Sequence, residues 1–162
     1  MSPLFFYTKN VVFQEVPNEI ALYFNISGCK IRCPGCHSEY LWEDTGKPLL
    51  EDIITIIDKY KNYISCVCFM GGTHDMTQLT SAINIVKENK LKVCIYTGEN
   101  YEGNEEKFNK ILENIDYIKF GPYIEELGGL NKETTNQRFY EVINGALFAD
   151  KTYLFRKSWN KN

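Results

Sequence analysis

Two hydrophobic periods take turns along this chain. Residues 20–26 carry β-branched and aromatic side chains and predict a strand. Leu49-Leu50, Ile53-Ile54, Ile56-Ile57 and Tyr60 then recur at helical spacing, which predicts an amphipathic helix. Residues 64–70 are almost continuously apolar, as a strand covered on both faces should be, and Gly71-Gly72 ends the run. Asp75 and Gln78 are spaced as a helix capping box, and Met76, Leu79, Ile83 and Val86 mark one face of the helix that follows. Residues 91–96 predict another buried strand, ended by Thr97-Gly98. A third helix is expected over about residues 104–115, with Phe108, Ile111, Leu112 and Ile115 inward. Its first turn holds Glu105 and Glu106, where the helix dipole favours anions. Residues 117–120 predict a fourth strand, ended by Gly121-Pro122, and residues 138–143 a last one. Ahead of these, residues 4–8 and 11–15 read as a short hairpin around a Lys9-Asn10 turn, stopped by Pro17-Asn18.

Strand and helix in alternation is the α/β pattern, and it predicts a mostly parallel sheet preceded by a short N-terminal hairpin. With 162 residues the chain is too short for a closed eight-fold barrel, which takes about 250. An open, curved partial barrel of four or five parallel strands is the expected fold. We expect one domain over residues 1–162, with an arm over about 1–17, a core over about 20–145 and a mildly basic tail over about 150–162. Active groups in such sheets gather at the carboxyl ends of the strands. Here those ends carry the segment after Ile26, then Gly71-Gly72, Thr97-Gly98 and Gly121-Pro122. Residues 121–137 form a long polar stretch without periodicity, which suggests a segment that docks a substrate or covers a cofactor, or else a solvated loop.

Composition narrows the classes. Hydrophobic residues make up 44%, charged residues 24% and aromatics 14%, a globular balance. Eighteen Lys and Arg against 21 Asp and Glu give −3, without the basic stripe of a nucleic-acid binder. Residues 1–7 lack the basic-then-apolar pattern of a secretory signal. No apolar run approaches the roughly 20 residues that cross a bilayer. A cytoplasmic protein with neither a nucleic-acid nor a membrane partner is expected.

The six cysteines change the picture, because three of them, Cys29, Cys33 and Cys36, fall within one short segment. In a reducing compartment such clustering is more often metal-binding or catalytic than disulfide-forming. Gly28, Pro34 and Gly35 permit the sharp turns that would aim several sulfurs at one point. A [4Fe-4S] cluster takes four ligands, so three local thiolates leave one iron open, as a catalytic metal site requires. The alternative is a zinc knuckle with His37, or a distant His74 or Cys66, as fourth ligand. Adjacent Cys36 and His37 make simultaneous inward ligation awkward. Cys66, Cys68 and Cys94 sit among Val, Ile, Phe and Tyr and read as buried free thiols.

The arrangement Cys29-x3-Cys33-x2-Cys36 after the first strand of an α/β pattern resembles the radical S-adenosylmethionine (radical SAM) enzymes. The fuller string Ser-Gly-Cys-x3-Cys-Pro-Gly-Cys-His over 27–37, with Trp42 beyond it, is similar to the activating proteins of anaerobic ribonucleotide reductase. Lys119-Phe-Gly-Pro-Tyr-Ile-Glu-Glu-Leu-Gly-Gly-Leu130, Thr135-Asn-Gln-Arg-Phe139 and Ile95-Tyr-Thr-Gly98 extend that likeness over about residues 20–140.

The resemblance implies a glycyl-radical activase. Cys29, Cys33 and Cys36 would hold a [4Fe-4S] cluster whose fourth iron is chelated by SAM. One electron would split SAM, and the resulting radical would take hydrogen from a glycine of the reductase. It further implies SAM contacts at Gly71, Gly72 and Thr73, at Gly35 and His37 beside the adenine, and at Thr97 in the pocket wall. The family commonly has an acidic residue where this chain has Thr73. The implied partners are the catalytic subunit of the anaerobic reductase and an electron donor such as flavodoxin. An incomplete barrel leaves its rim open sideways, which suits a protein substrate. Other readings are an activase of a different glycyl-radical enzyme, a small-molecule radical SAM enzyme such as a deazapurine synthase, and a non-enzymatic iron–sulfur or zinc-binding module.

Overall fold

The apolar runs form the middle of one open sheet. The computed structural model describes residues 3–36 and 38–157. Its strands are β1 (Phe5–Val12), β2 (Ala21–Ile26), β3 (Lys47–Pro48), β4 (Cys66–Met70), β5 (Lys92–Tyr96), β6 (Tyr117–Phe120), β7 (Arg138–Ile143) and β8 (Ala146–Asp150). They line up in the order β3-β1-β2-β4-β5-β6-β7-β8. β2, β4, β5 and β6 run parallel, and antiparallel strands flank them on both sides. The sheet is therefore mixed. Among the described residues no helix is long and apolar enough to cross a membrane.

The amino-terminal arm differs from expectation. Residues 5–12 are one strand with no turn at Lys9-Asn10, and they pair antiparallel with β2. The hairpin is thus β1 with β2, and Pro17-Asn18 lies in its connection. A register shift between Phe6 and Thr8 absorbs the irregularity of this pairing. The strand β8 lies between the expected core and the expected tail, where the sequence reading places no strand, and the short helix α4 (Tyr153–Lys157) lies within the expected tail. Residues 158–162, including Lys161 of the basic tail, lie outside the described residues, as does His37.

Helices α1 (Leu49–Tyr60) and α2 (Met76–Glu88) bury Ile53, Ile57, Leu79 and Ile83 against one face of the sheet. Leu22, Phe24, Val67, Phe69, Val93 and Ile95 meet them, with the Phe24 and Phe69 rings stacked 5.8 Å apart. Asp75 caps α2 by accepting the Gln78 amide at 3.1 Å. The Gln78 side chain does not return the bond; it accepts the Leu4 amide and ties β1 to the helix start. The third helix is short, α3 (Glu105–Asn109), and passes into a 3-10 turn over Leu112–Asn114.

Because strand side chains alternate, the intervening residues form a second buried face. It holds Ala21, Cys66, Cys68, Cys94, Tyr117 and Phe139. Its amino-terminal end is closed by Glu19, which accepts from Ser65 at 2.7 Å, Tyr117 at 2.7 Å and Lys92 at 3.0 Å. Met70, Tyr96 and Lys119 continue this face toward the strands' carboxyl ends, where the chemistry-bearing segments begin.

Candidate metal centre

Successive hydrogen bonds lace the carboxyl ends of the parallel strands together. Gly71 donates to Tyr96 O at 2.9 Å, Thr97 to Lys119 O at 2.9 Å and Gly121 to Glu99 O at 2.8 Å. The backbone at Gly71 and Gly72 has φ of 111° and 99°, a region that disfavours any residue with a Cβ. Glycine there permits the turn that exposes this backbone beside the cysteine segment.

The cysteine segment leaves β2 at Ser27, whose hydroxyl donates to Thr45 O at 2.8 Å. Gly28 and Cys29 both donate to Leu41 O, at 2.7 and 3.0 Å. Residues 41–45 thus close the base of the segment. All three cysteines are free and half-buried, unlike Cys66, Cys68 and Cys94, which are buried as their apolar neighbours predict. Cys36 Sγ accepts the Ser38 amide and Cys33 Sγ the Tyr123 amide, each at 3.3 Å. Gly35, at φ 76°, packs so tightly on Glu125 that a Cβ would meet its carboxylate at 2.5 Å. Residues 121–137 therefore lean directly on the cysteine segment.

Two adjoining cavities open here, of about 290 and 190 Å³. They share Ile26, Cys29, Gly71, Thr97 and Gly98. The larger is also lined by Gly72, Thr73, His74, Glu99 and Lys107. The smaller is lined by Cys36, Trp42, Met70, Tyr96 and Lys119.

Polar side chains in the larger cavity form a chain of contacts. Thr97 and Thr73, both buried, meet through their hydroxyls at 2.9 Å. Thr73 donates to Glu99 at 2.6 Å, and Lys107 donates to both Glu99 oxygens at 2.9 and 2.8 Å. Burial, helped by the charge of Lys30, holds the His74 imidazole below its ordinary pKa, so it is neutral at pH 7. In the smaller cavity, Lys119 is buried, donates to Gly121 O at 3.1 Å and lies 5.7 Å over the Tyr96 ring. Burial lowers its pKa to about 8, against the upward pull of Cys33, Cys29, Cys94 and Cys36.

The donors suit a cluster with one thiolate per iron. Three half-buried thiols share one segment, and two of them already accept amide hydrogens. The Trp42 Nε1 donor is shut off from solvent without an acceptor, and Trp42 lines the cavity of Cys29 and Cys36. Among the described residues no three His, Cys, Asp or Glu groups converge as ligands of a single ion. Thiolates on separate irons of a cubane need a wider triangle than that. Cys66, one distant ligand of the zinc alternative, is buried at the far end of β4, whereas His74 does border the cavity of Cys29.

The structure thus brings Cys29, Gly71, Gly72, Thr73 and Thr97 around one space, and Cys36 to the adjoining one; Cys33 and Gly35 line neither cavity and instead meet Tyr123 and Glu125 of the long segment, and the expected His37 contact lies outside the described residues. Sequence reasoning missed Lys119 and the Glu99–Lys107 pair. A lysine inside the apolar run Tyr117-Ile118-Lys119-Phe120 was the available signal, since an unpaired buried charge is costly without a purpose.

Residues 19–143 match the protein family described as a 4Fe-4S single cluster domain. No curated protein and no protein of solved structure matches the chain.

Proposed function

The chain belongs to the 4Fe-4S single cluster domain family, and from that premise we propose that it is a radical SAM activase that generates a glycyl radical on an anaerobic ribonucleotide reductase. The observation that carries this reading is the position of Cys29. It borders both cavities at the strand ends, so a cluster held by Cys29, Cys33 and Cys36 would have open space beside Cys29, where no fourth cysteine lines either cavity.

When bound, the cluster supplies the electron that splits the sulfonium of SAM into methionine and a 5′-deoxyadenosyl radical, which takes a hydrogen atom from the partner's glycine. The chain's own residues do the rest. The Gly71-Gly72 backbone admits the amino-acid end of the cosubstrate without a Cβ in the way. Lys119 brings a positive group to the cavity wall, where a carboxylate would pair with it. Met70 and Tyr96 give that wall an apolar floor that limits water. Thr97 and Gly98 separate the two cavities, and Gly35 anchors the cysteine segment beneath residues 121–137. The open rim leaves room for a segment of a large partner, and a flavodoxin-like donor is the proposed electron source.

The family description suits an electron carrier equally well, and the two readings separate on one assay. Anaerobic reconstitution with iron and sulfide, followed by reductant and SAM, should yield 5′-deoxyadenosine and methionine in equal amounts. Adding the reductase subunit should then produce a glycyl-type doublet by electron paramagnetic resonance. A loaded chain that releases no 5′-deoxyadenosine is a carrier. A doublet on some other glycyl-radical enzyme alone would reassign the partner.

A further inference from the structure

We infer that Trp42 is a positioning residue that sets the cluster's reduction potential by donating its indole N–H to one of the cluster's sulfurs. The inference rests on the cluster reading of the site and not on the cosubstrate. An indole nitrogen is a donor only. The Trp42 Nε1 atom is buried and has no acceptor in the protein. The residue lines the cavity of Cys29 and Cys36, so the cluster's sulfurs are the acceptors that the site would supply.

The placement of Trp42 is fixed from several sides. Its neighbour Leu41 accepts the amides of both Gly28 and Cys29, which locks this stretch to the first cysteine. The Trp42 amide closes a 3-10 turn on Glu39 O at 3.0 Å. The Arg32 guanidinium, from within the cysteine segment, lies 5.8 Å over the indole ring and pairs with Glu43 at 2.8 Å. Arg32 itself holds a positive φ of 53°, a conformation that a non-glycine residue adopts at a cost. Backbone amides of Ser38 and Tyr123 already serve Cys36 and Cys33, and Trp42 adds a side-chain donor to the same shell.

Hydrogen bonds to cluster sulfurs help set the potential. Reduction adds negative charge to those sulfurs, so a donor stabilises the reduced form and raises the potential. Removing the donor lowers it.

The test uses the whole chain, reconstituted anaerobically without SAM, and a spectroscopically monitored redox titration. One variant is Trp42→Phe. A second chain carries β-(3-benzothienyl)alanine at position 42, which keeps the fused ring and replaces N–H by sulfur. At the potential where the unmodified chain is half reduced, the ratio of reduced to oxidised cluster should fall at least threefold in each loaded variant. An unchanged ratio in a loaded variant overturns the assignment, as does loss of the cluster from both, which would make Trp42 an assembly residue only. An unmodified chain that takes up no four-iron cluster would instead sink the cluster reading itself.

Discussion

The Thr73 hydroxyl donates to a carboxylate oxygen of Glu99 across 2.6 Å, joining the turn after β4 to the turn after β5. The family resemblance leads one to expect an acidic side chain at position 73. Here the acid stands on the neighbouring strand end, and Thr73 links it to the glycine turn. Glu99 is held by Lys107 on both oxygens and remains partly exposed to the cavity.

If the proposed cosubstrate binds, its ammonium group should use Glu99. Glu99→Gln should weaken SAM binding about tenfold, equivalent to about 1.4 kcal/mol. Iron and sulfide content should stay unchanged. Equilibrium dialysis of the loaded chain with labelled SAM measures this directly, and an unchanged affinity would return the ammonium to the Gly71-Gly72 backbone alone.

Lys119 makes a complementary prediction. It is a buried cation near four cysteines, and its removal spares the protein a desolvation cost. Lys119→Met should therefore leave the melting temperature unchanged or higher while weakening SAM binding about tenfold. A loss of both stability and cluster would show that the ammonium serves the fold.

The two sets of cysteines should separate cleanly. Cys33→Ala removes the thiolate of one iron and should leave the chain with little or no four-iron cluster, read by iron and sulfide analysis. Cys94 is fully buried, and burial together with the neighbouring Cys68 thiol pushes its own thiol up, so it stays protonated. Cys94→Ala should cost about 1 kcal/mol of stability and leave the cluster content intact.

Acid stability should be set in part by Glu19. Burial pushes its carboxyl up, but hydrogen bonds from Tyr117, Ser65 and Lys92, with the Lys92 charge, outweigh burial and hold it below the ordinary 4.5. The folded pKa is thus the lower one. Its contribution is present above pH 4.5 and is lost as the pH falls through the folded value. Glu19→Gln should cost about 1–3 kcal/mol at neutral pH and make stability less dependent on pH in acid. Urea unfolding of both chains across that range, loaded and metal-free in parallel, checks it.

The central strands and the two long helices were legible in the sequence because their apolar periods are unbroken, as in residues 64–70 and in α1. The cysteine spacing and the glycines at the strand ends were legible for the same local reason. The arm was misread because Lys9 and Asn10 look like a turn in isolation, whereas pairing with β2 keeps them extended. β8 was missed because it is short and lacks alternation: its outward position Phe148 is apolar although 66% exposed, which hides the strand period. Lys119 had a local signal in its apolar run, but the Thr73–Glu99 link depends on which strand lies beside which. No local pattern carries that information.

The contact between the Tyr123 amide and Cys33 Sγ carries a mechanical consequence. The long segment on which a partner would land is tethered to a sulfur that would hold iron. A protein arriving there would tug on the coordination of the proposed cluster. Its docking should therefore register as a spectral change before any hydrogen atom has moved.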